Sequence, residues 1–167
     1  MGCNLWDQAG WILSAHFQSL QNSPVKQKSY HETVVDFMKA KPKSKWGVIP
    51  FRVKDSGKIE VLIISTRRKN WSFPKGNLIK NIGPQRTALL EAYEEAGIDG
   101  TLAQSPLFCP IDRSCIYLFP MTVTKVFEDW PEASFRKRKW IQIKKARNIL
   151  HHRAMGNILL RFFLQKN

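Results

Sequence analysis

Between Gly83-Pro84 and Gly97 the chain has one segment whose two ends are both fixed by local chemistry. Proline suits the first helical position because the N–H it lacks would have had no partner there. Glycine suits the stop because it accepts the left-handed backbone that ends a helix. The spacing therefore predicts a helix over residues 84–96. On it lie Glu91, Glu94 and Glu95, drawn from only 13 acidic residues in a chain with 27 Lys plus Arg. At i, i+3 and i+4 they share a face, where like charges cost about 0.2–0.5 kcal/mol per pair. They also fall in the C-terminal half, where the macrodipole disfavours anions. An arrangement that costs stability points to a use. Hard divalent cations take oxygen ligands and bridge carboxylates to phosphate oxygens, so a magnesium or manganese site is one reading. A solvated acidic face paired with lysines is the other.

The flanking sequence reads as strands. Residues 46–53 and 59–66 are rich in β-branched and aromatic residues and are separated by Asp55-Ser56-Gly57, which predicts a hairpin. Within Trp71-Ser72-Phe73-Pro74-Lys75-Gly76, proline and glycine are expected to end any strand. Residues 116–126 are the best later strand, and Pro120 inside them predicts an edge or a bulge. Another short strand is expected over 138–143, then helices over 144–151 and 155–164, the second with Ile158, Leu159, Phe162 and Phe163 on its apolar face. Residues 1–44 are polar, with Leu13, Phe17 and Leu20 spaced for a short amphipathic helix. The basic stretch Lys41-Pro42-Lys43-Ser44-Lys45 marks a boundary between this extension and a domain over 45–167. Strands and helices intermix, so the fold class is α/β with a mixed sheet.

The formal net charge, 27 − 13 = +14, draws polyanions such as nucleic acid, nucleotides, polyphosphates or an anionic membrane surface. No apolar run approaches the roughly 18 residues of a membrane helix, so no membrane span is expected. Cys3, Cys109 and Cys115 are odd in number and lack metal-ligand spacing, and no secretory signal is apparent, which points to the reducing cytoplasm. His16, His31, His151 and His152 offer no metal pair, and no nucleophile triad or phosphate-cradling glycine loop appears.

The run from Gly76-Asn77-Leu78-Ile79-Lys80-Asn81-Ile82 to Leu90-Glu91-Ala92-Tyr93-Glu94-Glu95-Ala96-Gly97-Ile98 resembles the Nudix box, G-x5-E-x7-R-E-U-x-E-E-x-G-U with U aliphatic. Phe51-Arg52, the stretch from Thr122 to Trp130, and Arg136-Lys137-Arg138-Lys139-Trp140 are similar to the diphosphoinositol polyphosphate phosphohydrolase branch of that family. The resemblance covers residues 45 to about 153 and implies an α/β/α sandwich with a mixed β-sheet. It implies that Glu94 and Glu95 hold magnesium or manganese, that Glu91 is a ligand or the general base, and that the Lys75 backbone carbonyl completes the shell. Two box positions depart: Ile82 stands where the family has Glu, and Leu90 where it has Arg. The ligands survive while their support changes, so an active enzyme, slowed by the altered support, is expected.

A highly phosphorylated substrate needs cations around it. Lys43, Lys45, Arg52, Lys75 with Gly76, Arg113, Arg136 and Arg138 are the expected substrate contacts. The expected activity is metal-dependent hydrolysis of phosphoanhydride bonds in diphosphoinositol polyphosphates or dinucleoside polyphosphates. Removal of pyrophosphate from RNA 5′ ends is the enzymatic alternative, and a module that binds phosphorylated ligands without cleaving them is the other. Glu128, Asp129 and Glu132 lie where a late loop could add a carboxylate.

Overall fold

A computed structural model describes residues 44–111 and 114–164. The helix expected around Leu13, Phe17 and Leu20 lies outside the described residues, as do Lys43 and Arg113. Strands β1 (Lys45–Val53) and β2 (Ile59–Ser65) form the expected antiparallel hairpin, with the Gly57 N–H donating to the Lys54 carbonyl at 2.8 Å. There follow β3 (Trp71–Ser72), β4 (Lys75–Asn77), helix α1 (Gly83–Ala96), β5 (Ile98–Leu102), β6 (Leu107–Ile111), β7 (Ser114–Val126), β8 (Arg138–Gln142), α2 (Ile143–Ile149) and α3 (Arg153–Leu164).

All eight strands join one mixed sheet in which β1 and β7 run parallel at the centre. Helices flank it in an α/β/α sandwich. Trp46, Val48, Ile49 and Phe51 are all buried although they alternate between faces, so both sides of β1 are covered. On one side Phe51 meets Phe163 of α3 edge-on at 5.1 Å. On the other, Trp46 stacks on Tyr117 at 4.2 Å and leans on Phe119.

The sheet forks. Glu60 pairs with both Arg52 and Gln142, and Ile64 pairs with both Ser72 and Arg138, so β1 and β3 lie on the same edge of β2. Likewise β2 and β4 share the edge of β1 that faces away from β7. The segment from Trp71 to Asn77 is thus a wedge in the gap between β1 and β2. Its strands correct the expectation that Pro74 and Gly76 exclude strand there: Pro74 only separates two short pieces, whose backbone groups find partners inside the fork. The Pro74 carbonyl itself accepts from the Val48 N–H at 3.1 Å.

Pro120 is a second correction. It lies not at an edge but inside β7, opposite Ile49. On the other side of β7, β6 pairs only as far as Leu118 and β5 begins at Met121. The Pro120 carbonyl accepts from Ala103 on that side, so the ring nitrogen faces the break between partners, where no N–H is needed.

Helix α1 lies over β1 and β4 on a face of Thr87, Ala88, Ala92 and Ala96, small residues that let the backbone approach the sheet. It stops at Gly97, whose φ of 60° is the left-handed cap that the sequence predicts. Its N-cap Ile82 makes no side-chain cap bond. Instead the buried Thr87 hydroxyl donates to the Gly83 carbonyl at 2.7 Å and accepts from the Ile79 N–H at 3.1 Å, tying the preceding loop to the first turn. Thr87→Val keeps the shape and leaves the Ile79 N–H without that acceptor. It is expected to lower stability by about 1–3 kcal/mol in urea unfolding, and an unchanged midpoint would contradict this role.

Candidate active site

The wedge and the helix meet at the box carboxylates. The Lys75 N–H donates to Glu95 Oε2 at 2.8 Å. Glu91 lies over Gly76: a Cβ built on that glycine would stand 1.6 Å from Glu91 Oε1, so any larger residue would push this carboxylate aside. Glu94 joins through the backbone, where its carbonyl accepts from the Glu132 N–H at 3.1 Å.

Of the late-loop acids, Glu128 and Asp129 are exposed, and Glu132 turns toward the site. Arg136 lies between the two carboxylates. Its Nη2 donates to Glu95 Oε1, its Nε to Glu132 Oε2, and its Nη1 to the Ser65 carbonyl at 2.9 Å. The side chains of Arg136 and Glu95 are only 9% and 13% exposed, so this pair belongs with buried ion pairs. Losing one partner of such a pair costs about 3–5 kcal/mol, against about 0–1 for a surface pair.

The other predicted contacts are distributed along the sheet. Arg138 donates to the carbonyls of Ala96 and Gly97 at 2.6 and 3.0 Å and to that of Phe127 at 2.6 Å, while its guanidinium lies 4.0 Å over the Trp130 ring. It therefore caps the C-terminus of α1, supplying the positive charge that the helix lacks in its last turn. Arg52 pairs with Glu60 at 2.7 Å and lies over Trp140, at the far end of β1 from Lys45. Lys75 turns its ammonium inward, donating to Ser72 Oγ at 2.7 Å and to the Phe73 carbonyl at 3.4 Å; burial lowers its pKa, with Glu95 opposing. Lys45 is half-buried and acts on Glu91 as a nearby positive charge.

Glu132 and its link to Arg136 are the parts least visible in sequence. The only signal is their i, i+4 spacing in Glu132-Ala133-Ser134-Phe135-Arg136, where the Arg136 N–H donates to the Glu132 carbonyl at 3.0 Å.

Among the described residues, no group of three or more His, Cys, Asp or Glu side chains stands gathered in a metal-holding arrangement. The donor chemistry nevertheless fits magnesium or manganese: carboxylate and carbonyl oxygens only, with lone pairs left on Glu95 beyond the two that Lys75 and Arg136 occupy. The electrostatics are strained toward a cation. Burial pushes the Glu91 carboxyl up to about 7, and Glu95, Glu94 and Glu132 add to it in that order. Burial raises Glu95 as well, opposed by the Lys75 N–H and Arg136. By contrast, burial pushes the Cys109 thiol up to about 11, which leaves it inert as a nucleophile near neutrality.

The raised Glu91 has a consequence for stability. The stability that protonated Glu91 contributes is present in full below its ordinary value of 4.5 and is lost as pH rises through about 7. Metal-free Glu91→Gln is therefore expected to unfold at a higher temperature than the wild type at alkaline pH, with the difference shrinking as pH falls from about 7 to 4.5 and constant below that. A difference that does not vary with pH would contradict the burial of this charge.

No family model matches the chain. It is 34% identical over 130 residues to the chloroplastic Nudix hydrolase 21 of Arabidopsis thaliana, covering 72% of this chain and 66% of that one. It is 32% identical over 142 residues to the mitochondrial Nudix hydrolase 12 of the same plant, covering 70% of each. Diphosphoinositol polyphosphate phosphohydrolase 2 of Mus musculus is 35% identical over 97 residues, 54% of each chain. Among solved structures, a C. elegans Ap4A hydrolase superposes with a TM-score of 0.53 at 24% identity, covering 74% of this chain and 96% of that one, a likeness of fold. The chain spans between 63% and 71% of the plant relatives' own length. With the box glutamates brought onto Lys75 and Gly76 and relatives of this similarity, the chain belongs to the Nudix hydrolase family, a family of pyrophosphohydrolases that use divalent metal.

Proposed function

We propose that the chain is a metal-dependent hydrolase of phosphoanhydride bonds in polyphosphorylated small molecules, diphosphoinositol polyphosphates or dinucleoside polyphosphates. The observation that carries this reading is the meeting of the two ends of the box, with the Lys75 N–H on Glu95 and Glu91 over Gly76. The likeness to a diphosphoinositol polyphosphate phosphohydrolase supports the substrate class. The net charge of +14 favours polyanions in general, RNA 5′ ends among them.

Glu91, Glu94, Glu95 and the Lys75 carbonyl would hold magnesium or manganese, which supplies charge neutralisation on the diphosphate and a more acidic water. Where Glu91 is not itself a ligand, it is the carboxylate that would accept the proton of the attacking water. As the water oxygen bonds to phosphorus, the bridging P–O bond breaks and its electron pair leaves with the departing phosphate. Lys45, beside Glu91, is the cation best placed to meet the substrate's charge. Arg52 lies seven residues along β1 from Lys45, roughly 23 Å away and on the opposite face, paired with Glu60, so only an extended substrate could reach both.

Phosphate release from a panel of diphosphates with magnesium or manganese tests the reading. Glu95→Gln, which keeps an acceptor for the Lys75 N–H but not the charge facing Arg136, is expected to reduce release by about 100-fold or more in protein shown by circular dichroism to be folded. A variant as active as the wild type would contradict it, and a wild type that binds the panel but releases no phosphate would favour a binding module.

A further inference from the structure

The three box glutamates lie on a helix that carries no cation near them. Arg86 is the one basic residue of α1, near its N-terminus, and Leu90 precedes the first glutamate. The neutralising charge has to come from elsewhere in the fold. It comes from Arg136, just ahead of β8, whose three guanidinium nitrogens are all engaged, on Glu95, Glu132 and the Ser65 carbonyl. With 9% of its side chain exposed, Arg136 presents little to a ligand. Glu95, in turn, is held at both oxygens, by the Lys75 N–H on one side and Arg136 on the other. A carboxylate fixed at both oxygens has one orientation.

We propose that Arg136 is the positioning residue of this site: it holds the Glu95 carboxylate in its working orientation and brings Glu132 beside it as a fourth carboxylate. A guanidinium suits this task because its fork satisfies several acceptors in one plane, which an ammonium cannot do. The end of β2, α1 and the loop before β8 are joined through this one side chain, and the wedge joins them through Glu95. The inference rests on the hydrolytic reading of the site and gives Arg136 a different task from gripping phosphate.

The test uses the full chain and the variants Arg136→Ala, Arg136→Lys, Glu132→Gln and the double variant of Arg136→Ala with Glu132→Gln. The first arm is metal-free thermal unfolding. Glu132→Gln should lower the midpoint in the wild type and raise it in the Arg136→Ala background, where it removes a carboxylate left facing Glu95. Additive losses would overturn the clamp. The second arm compares kcat and KM on substrates with two, three and four linked phosphates. A positioning residue predicts that Arg136→Ala lowers kcat by about 10- to 100-fold with KM nearly unchanged at every chain length, and that Arg136→Lys recovers only part of it. A KM that climbs with phosphate number while kcat holds would overturn the proposal in favour of a phosphate grip, and an unchanged kcat in folded Arg136→Ala would overturn it outright. If the wild type hydrolyses none of the substrates, the hydrolytic reading fails, and the unfolding arm still decides whether Arg136 holds Glu95 to Glu132.

Discussion

The structure of the site depends on how one carboxylate, that of Glu95, is held. One of its oxygens accepts the backbone N–H of Lys75, in the wedge that splits the sheet, and the other accepts Arg136, from the segment leading into β8. A backbone contact spanning 20 positions of sequence and a side-chain contact spanning 41 meet on a single group. At its buried position each bond is strong, and leaving the carboxylate unpaired would be costly. Around that anchoring α1 packs over β4 on its face of small residues, Glu91 approaches Gly76, and Glu132 enters through Arg136 and the Glu94 carbonyl.

The sheet makes the anchoring possible by forking. Because β1 and β2 pair only over Phe51–Val53 and Ile59–Val61, the gap beyond that stretch is open to Trp71–Ser72 and Lys75–Asn77. Pro50 sits on β1 where β4 ends and β2 begins, as Pro120 sits on β7 where β6 ends and β5 begins. Each proline occupies a place where the pairing partner changes, so neither deprives a ladder of a donor. The same interruption that tolerates Pro50 admits the wedge carrying Lys75 and Gly76, and so the irregular part of the sheet is where the chemistry is assembled.

Much of this was legible from residues close together in the chain. Pro84 and Gly97 bound α1 as their backbone preferences require, Asp55-Ser56-Gly57 turns the hairpin, and the shared face of Glu91, Glu94 and Glu95 follows from helical periodicity. What depends on register was not legible. The sequence offers Arg136, Arg138 and Lys75 as cations for a substrate, whereas the fold engages all three internally, on Glu95 and Glu132, on the carbonyls ending α1, and on Ser72 and Phe73. Nothing local distinguishes an arginine that caps a helix 41 or 42 residues away from one that faces solvent. Pro120 misled for the same reason, since an edge strand and an interior strand with a change of partner look alike in one dimension.

The central claim is that these half-buried carboxylates are assembled to take up a divalent cation alongside a diphosphate. Calorimetric titration of manganese into the full chain, with a non-hydrolysable diphosphate present, tests it most directly. The account predicts saturable binding that Glu94→Gln and Glu95→Gln each weaken. Absence of binding at millimolar manganese, or binding untouched by either substitution, would contradict it.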